Sequence, residues 1–136
     1  MSDCTTHRGQ ILLVEDDPAV RGVLALLLES AGWNVTEAAD GNVGLLLARR
    51  TRPDLVVTDL RLPGMSGTEL ATALTDGSDV PVVAITSDTA QTRARARQSG
   101  RFASVLTKPL DPNDFLLTVH RTRLTSLEGP SRVSRE

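Results

Sequence analysis

Four short apolar runs in this chain end on residues that can do chemistry. Gln10 to Val14 (QILLV) is followed by Glu15 and Asp16, and Asp54 to Thr58 by Asp59. Val80 to Thr86 (VPVVAIT) closes on Thr86, and Phe102 to Thr107 is followed by Lys108. Carboxylates of this number, if brought together, repel one another unless their pKa values rise or a cation joins them. Oxygen ligands suit a hard ion such as magnesium, which keeps part of its water shell and also binds phosphoryl oxygens. An ammonium and a hydroxyl beside the acids would neutralise and hydrogen-bond an incoming phosphoryl group while one carboxylate serves as nucleophile. Lys108 precedes Pro109, and a cis bond there is a working hypothesis for how the lysine is aimed.

These residues meet only if the elements carrying them are adjacent. After QILLV, Asp17 is placed to cap a helix with Pro18 at its first position; Val20, Val23, Leu24, Leu27, Leu28 and Ala31 recur at helical spacing until Gly32. Trp33 to Ala38 predicts a second strand, and Asp40-Gly41 opens a helix with Val43, Leu46 and Leu47 on its buried face. Asp54 to Thr58 is the third strand, and the turn-rich LPGMSG leads to a helix through about Leu74. Val80 to Thr86 is the fourth strand, Asp88 to Ser99 a weaker helix, Phe102 to Thr107 the fifth strand, and Asp111 to Leu124 the last helix. Alternating strands and helices at these lengths specify right-handed βαβ units and a parallel sheet covered on both faces. The expected fold is α/β: a flavodoxin-like, doubly wound (βα)5 sandwich with sheet order 2-1-3-4-5, binding ligands beyond the carboxyl ends of its strands. In that order the first, third and fourth strands adjoin and the fifth follows. Glu15, Asp16, Asp59, Thr86 and Lys108 would then share one edge.

The segments ILLVEDDP, LVVTDLRLPGMSG, PVVAITS and LTKPL resemble, in order and spacing, the successive signatures of the response-regulator receiver domain of two-component signalling, the family of chemotaxis-regulator-like proteins. The resemblance covers roughly residues 10 to 124. It implies that Asp59 is the phosphoacceptor, that Asp16 binds magnesium directly and Glu15 through water, and that Asp59 and the backbone carbonyl of Arg61 complete the metal's protein ligands. It also implies that Thr86 hydrogen-bonds the phosphoryl group and Lys108 pairs with it. The donor would be the phosphohistidine of a sensor histidine kinase or histidine phosphotransfer protein. Hydrolysis would be self-catalysed, so the chain is not expected to be an enzyme acting on other substrates. The signal would pass to a downstream protein through the face of the fourth helix, fifth strand and fifth helix, with a phosphorylation-dependent homodimer as a further expectation.

Three positions depart from the family's pattern. Glu15 stands where Asp is usual, lengthening the reach to the metal. Val105 replaces the aromatic three residues before the lysine, and Phe102 would need a register change to substitute for it. Arg61 puts a cation two residues after Asp59, where the family tunes hydrolysis; without metal it is expected to pair with Glu15 or another site acid. Two other functions are compatible with these residues. A phosphorylation-insensitive binding or dimerisation module would be unmoved by beryllofluoride. A small phosphohydrolase with an aspartyl nucleophile would turn over a phosphate ester in excess, and such enzymes carry an acid where this chain has Arg61.

Size and composition agree with a single domain: 136 residues, 40% hydrophobic and 2% aromatic, with a core of Leu, Val, Ile and Ala. The reading places a disordered N-terminus at 1–9, the receiver domain at 10–125 and a flexible C-terminal tail at 126–136. A formal net charge of -2 offers no global field for nucleic acid or an anionic membrane. No apolar run approaches a membrane span and no leader is evident, so a cytoplasmic protein with no direct nucleic-acid or membrane contact is expected. Arg93, Arg95, Arg97 and Arg101 read as a solvated face, because residues two apart do not line one side of a helix. Gly64 and Gly67 read as turn glycines, Trp33 as a core-edge residue far from the site, and Cys4, His7 and His120 receive no metal role.

Overall fold

The structure, a computed structural model, describes residues 9–87 and 90–133. Strands and helices alternate along it. β1 spans Gly9–Val14, α1 Pro18–Ser30, β2 Trp33–Ala38, α2 Gly41–Thr51 and β3 Leu55–Asp59. α3 spans Gly67–Thr75, β4 Val82–Thr86, α4 Ala90–Gln98, β5 Ser104–Thr107 and α5 Pro112–Val133. The strands form one parallel sheet in the order β2-β1-β3-β4-β5, as the alternating pattern predicts.

Successive strand residues point to opposite faces, so the continuous apolar runs fill two cores at once. Ile11, Leu13, Leu55, Val57, Val83 and Ile85 pack with Leu24 and Leu28 of α1 and Phe115 and Val119 of α5. Leu12, Val14, Val56 and Val82 face the other way, against Ala48 of α2 and Leu70, Ala71 and Leu74 of α3. Beneath α4 lies a smaller cluster of Leu60, Ala84, Ala96 and Val105. Phe102 is packed against both of the last two clusters. Trp33 is buried at the start of β2, at the sheet end away from the chemistry-bearing residues.

Helix starts follow the capping chemistry. Asp17 accepts hydrogen bonds from Ala19 N (2.9 Å) and Val20 N (3.3 Å), with Pro18 at the first helical position. Asp40 caps α2 through Val43 N at 2.8 Å. Ser66 and Glu69 form a reciprocal capping box on α3.

Some boundaries differ from the sequence expectation. Gly9, assigned to the disordered N-terminal segment, is the first residue of β1. β4 starts at Val82 and not Val80, since Pro81 between them has no N–H to enter the ladder. α5 was expected to end near Leu124 but runs to Val133, continuing past Gly129 and Pro130. The arginine-rich face is not wholly solvated: Arg95 and Arg97 are exposed, whereas Arg93 is half-buried and its Nε lacks a hydrogen-bond partner. Residues 1–8, 88, 89 and 134–136 lie outside the described set, and with them the readings of Cys4, His7, the frayed start and the last residues of the tail. Among the described residues no helix is long and apolar enough to cross a membrane.

Candidate functional site

β1, β3 and β5 are each held at the site by one more backbone hydrogen bond to a neighbouring strand. Glu15 N donates to Ala38 O at 3.0 Å, Leu60 N to Ile85 O at 3.1 Å, and Lys108 N to Thr86 O at 2.8 Å. The parallel ladder therefore delivers Glu15, Asp59, Thr86 and Lys108 to one edge with little backbone freedom. The Lys108–Pro109 peptide is cis.

Lys108 lies at the centre of the cluster. Its Nζ is 2.7 Å from Asp59 Oδ2 and 3.1 Å from Glu15 Oε1. Glu15 is 1% exposed and Asp59 7%, whereas Asp16 is exposed. The other Asp59 oxygen, Oδ1, accepts from Arg61 N at 3.0 Å, and the second Glu15 oxygen accepts from Asp17 N at 3.2 Å. Thr86 is fully buried at the end of β4, on the strand next to that of Asp59. Glu15, Asp16 and Asp59 each offer an oxygen within 4.8 Å of the others. It is Lys108 that supplies the cation to both buried acids. The Arg61 side chain is exposed, and the backbone N–H of Arg61 donates to Asp59.

Burial pushes the Glu15 carboxyl above its ordinary pKa, and the Asp59 charge pushes the same way; the Asp17 N–H and Lys108 oppose this without cancelling it. Burial alone would lower Lys108, but its hydrogen bonds to Asp59 and Glu15 and their charges outweigh it, so its pKa lies above the ordinary value. Acid thus exceeds base in a partly dry pocket. Such a donor set fits a hard divalent cation held by carboxylate oxygens and water.

Supporting residues that the sequence reading passed over also appear. Arg21 donates to the Glu15 carbonyl at 2.8 Å and pairs with Glu37 at 3.3 Å, tying α1 and β2 to the backbone that carries the acids. A cation in the first turn of a helix runs against the helix dipole, and that misfit was its legible signal. Thr58 is buried, and its hydroxyl donates to the Asp59 carbonyl at 2.9 Å.

Gly64 is a turn glycine in the conformational sense, with φ +75°. Gly67 is there for another reason. Its N–H donates to Leu60 O at 2.9 Å, and a Cβ at this position would collide with the Asp59 carbonyl oxygen and come within 2.7 Å of Leu60 Cα. Gly67→Ala should therefore cost about 2–3 kcal/mol, because the obstructing atoms are backbone and cannot rotate away. Chemical denaturation would measure it. Parental stability would mean that the Asp59 loop yields easily.

Three comparisons place this geometry. The chain is 34% identical over 119 residues to the DNA-binding response regulator MtrA of Mycolicibacterium smegmatis, a match covering 88% of this chain and 52% of MtrA. It thus spans about half the length of that curated relative. Its fold matches that of the chemotaxis protein CheY4 of Vibrio cholerae with a TM-score of 0.77 at 28% identity, over 83% of this chain and 97% of the other. The receiver domain of the sensor histidine kinase PA1611 from Pseudomonas aeruginosa PAO1, solved with a magnesium ion coordinated in its active-site cleft, matches with a TM-score of 0.76 at 32% identity. That match covers 85% of this chain and 97% of the receiver. Residues 11–120 match the family model for the response regulator receiver domain, and the chain belongs to that family.

Proposed function

We propose that this receiver works in a phosphorelay, accepting a phosphoryl group on Asp59 in a magnesium-dependent reaction and thereby switching its affinity for a partner. The observation that carries the reading is the placement of Lys108 Nζ 2.7 Å from Asp59 Oδ2, beside carboxylate oxygens of Glu15, Asp16 and Asp59 within 4.8 Å of one another. Asp16, Asp59 and the Arg61 carbonyl would hold the metal directly and Glu15 through water. When bound, magnesium supplies positive charge to the phosphoryl oxygens.

An Asp59 carboxylate oxygen attacks phosphorus in line with the donor's phosphohistidine nitrogen. The P–N bond breaks and its electron pair returns to the imidazole. Lys108, already aimed at Asp59, moves its charge onto the transferred group, and the Thr86 hydroxyl donates to another phosphoryl oxygen. Glu15 then keeps Lys108 from leaving the pocket. Hydrolysis of the acyl phosphate by water is the chain's own slow reset. The donor is a sensor histidine kinase or histidine phosphotransfer protein, the location is cytoplasmic, and once Asp59 is phosphorylated the face of α4, β5 and α5 meets a downstream protein or a second copy. MtrA is named for DNA binding, but this chain matches only about half of it, and no nucleic-acid contact is assigned to this part.

Incubation with acetyl phosphate, followed by intact-mass measurement, tests the reading. One phosphoryl adduct is expected with magnesium and essentially none with EDTA. A folded chain that stays unmodified with both acetyl phosphate and a phosphorylated kinase would overturn it. One observation favours a second reading, a receiver used as a phosphorylation-insensitive binding module: Val105, paired with Ala84, leaves no aromatic ring on β5 to follow Thr86. Beryllofluoride separates the two, because only the switching receiver changes oligomeric state or partner affinity.

A further inference from the structure

A cavity of about 670 Å³ opens at the end of the sheet opposite Asp59, where β4 and β5 begin and α5 passes over them. This is the volume of a small-molecule site. Its floor is apolar, made by Val80, Pro81 and the half-buried ring of Phe102. Two arginines line it, Arg101 from the turn before β5 and Arg121 from α5. Arg101 is held in place by a hydrogen bond from its Nη1 to Thr75 Oγ1 at 3.2 Å, a neutral partner that leaves its charge uncompensated. Neither guanidinium makes a carboxylate pair among the described residues. Thr122, 7% exposed, lines the same cavity.

Guanidinium forks match planar anions, so this pair of arginines calls for an acceptor inside the cavity. One carboxylate, Asp79, stands at the rim. Against two guanidiniums it leaves a single positive charge, which suits a monoanion better than a phosphate dianion. We infer that this cavity binds a small aromatic or aliphatic carboxylate, its apolar body on Phe102 and Pro81 and its head group between Arg101 and Arg121 with Thr122 donating. Because Phe102 also packs against the cluster of Leu60, Ala84, Ala96 and Val105, an occupant would bear on the residue that follows Asp59 and on α4. The inference is independent of phosphorylation, and so is its test.

The probe is 2-naphthoate, titrated into the full chain and followed by backbone amide shifts, with neutral 2-naphthylmethanol in parallel. Saturable shifts are expected at Arg101 to Ser104, Thr75 and Thr122, with the acid binding at least about tenfold more tightly than the alcohol. Arg101→Ser should erase that preference, and Thr122→Val should weaken the acid alone. Equal binding of acid and alcohol reduces the cavity to a greasy surface and overturns the inference. So does the absence of saturation at millimolar probe, or saturable shifts confined to another surface.

Discussion

Asp59→Asn should abolish the magnesium-dependent phosphoryl adduct completely while leaving a folded protein. Asparagine keeps the shape of the side chain and an oxygen that can accept from Arg61 N, now 3.0 Å from Asp59 Oδ1. What it lacks is the negative oxygen that attacks phosphorus. The cost to stability should be small, within about 1 kcal/mol, because two effects oppose one another. Lys108 loses its 2.7 Å partner, but Glu15, pushed up by burial and by the Asp59 charge, loses a neighbour of like sign and keeps the ammonium to itself. Intact mass and a denaturation curve on one sample read both expectations. An adduct of equal yield in the variant would move the phosphoacceptor elsewhere and dissolve the role given to this edge of the sheet.

Lys108→Met carries the other large effect, and here stability and reactivity fall together. Methionine spans a similar length without charge, so Glu15, 1% exposed, and Asp59, 7% exposed, face each other with no cation between them. Buried carboxylates that lose their common donor should cost about 2 kcal/mol in metal-free buffer, short of the largest values for broken ion pairs because the exposed Asp16 side of the cluster admits water. Magnesium should recover much of that loss by binding the folded state, so the variant should gain more stability from the metal than the parent does. The rate of adduct formation with magnesium should fall on the order of 10²-fold, the usual cost of removing one preorganised donor to a developing oxyanion. Thermal melts with and without EDTA, and a time course with acetyl phosphate, make the measurements. If the metal-free variant is as stable as the parent, the ion pairs are ornamental. If it is phosphorylated at the parental rate, Lys108 has no part in the chemistry.

The wider consequence concerns how a signal could leave the site. In receivers with an aromatic at the position of Val105, a ring on β5 can follow the hydroxyl at the end of β4. Here the ring nearest to that role is Phe102, which stands before β5 begins and packs beneath α4 between two clusters. Phosphorylation could reach α4 through Leu60, the residue after Asp59, which shares a cluster with Ala96 of that helix. Phe102 also lines the cavity where β4 and β5 begin.

Much of this molecule was legible in its sequence. Strand runs such as ILLV and VVAIT, buried on both faces, fit the inside of a parallel sheet, and Asp17-Pro18 and Asp40 marked helix starts by local capping chemistry. The order 2-1-3-4-5 was the expectation for a doubly wound sheet of five such units, and it already predicted which strand ends would meet.

Tertiary structure decided the rest, since the remaining facts are distances between residues far apart in the chain. Nothing local says that Lys108 would bind Glu15 and Asp59 together, or that Arg21 would hold the Glu15 carbonyl; those pairings exist only once α1, β3 and β5 share an edge. Gly67 shows the same limit. Its sequence setting, PGMSG, reads as a flexible turn, yet its lack of a side chain is required by the carbonyl of Asp59 packed against it. The place of Phe102 was illegible for a related reason: weak local signals leave the outcome to packing, and packing is a property of the whole fold.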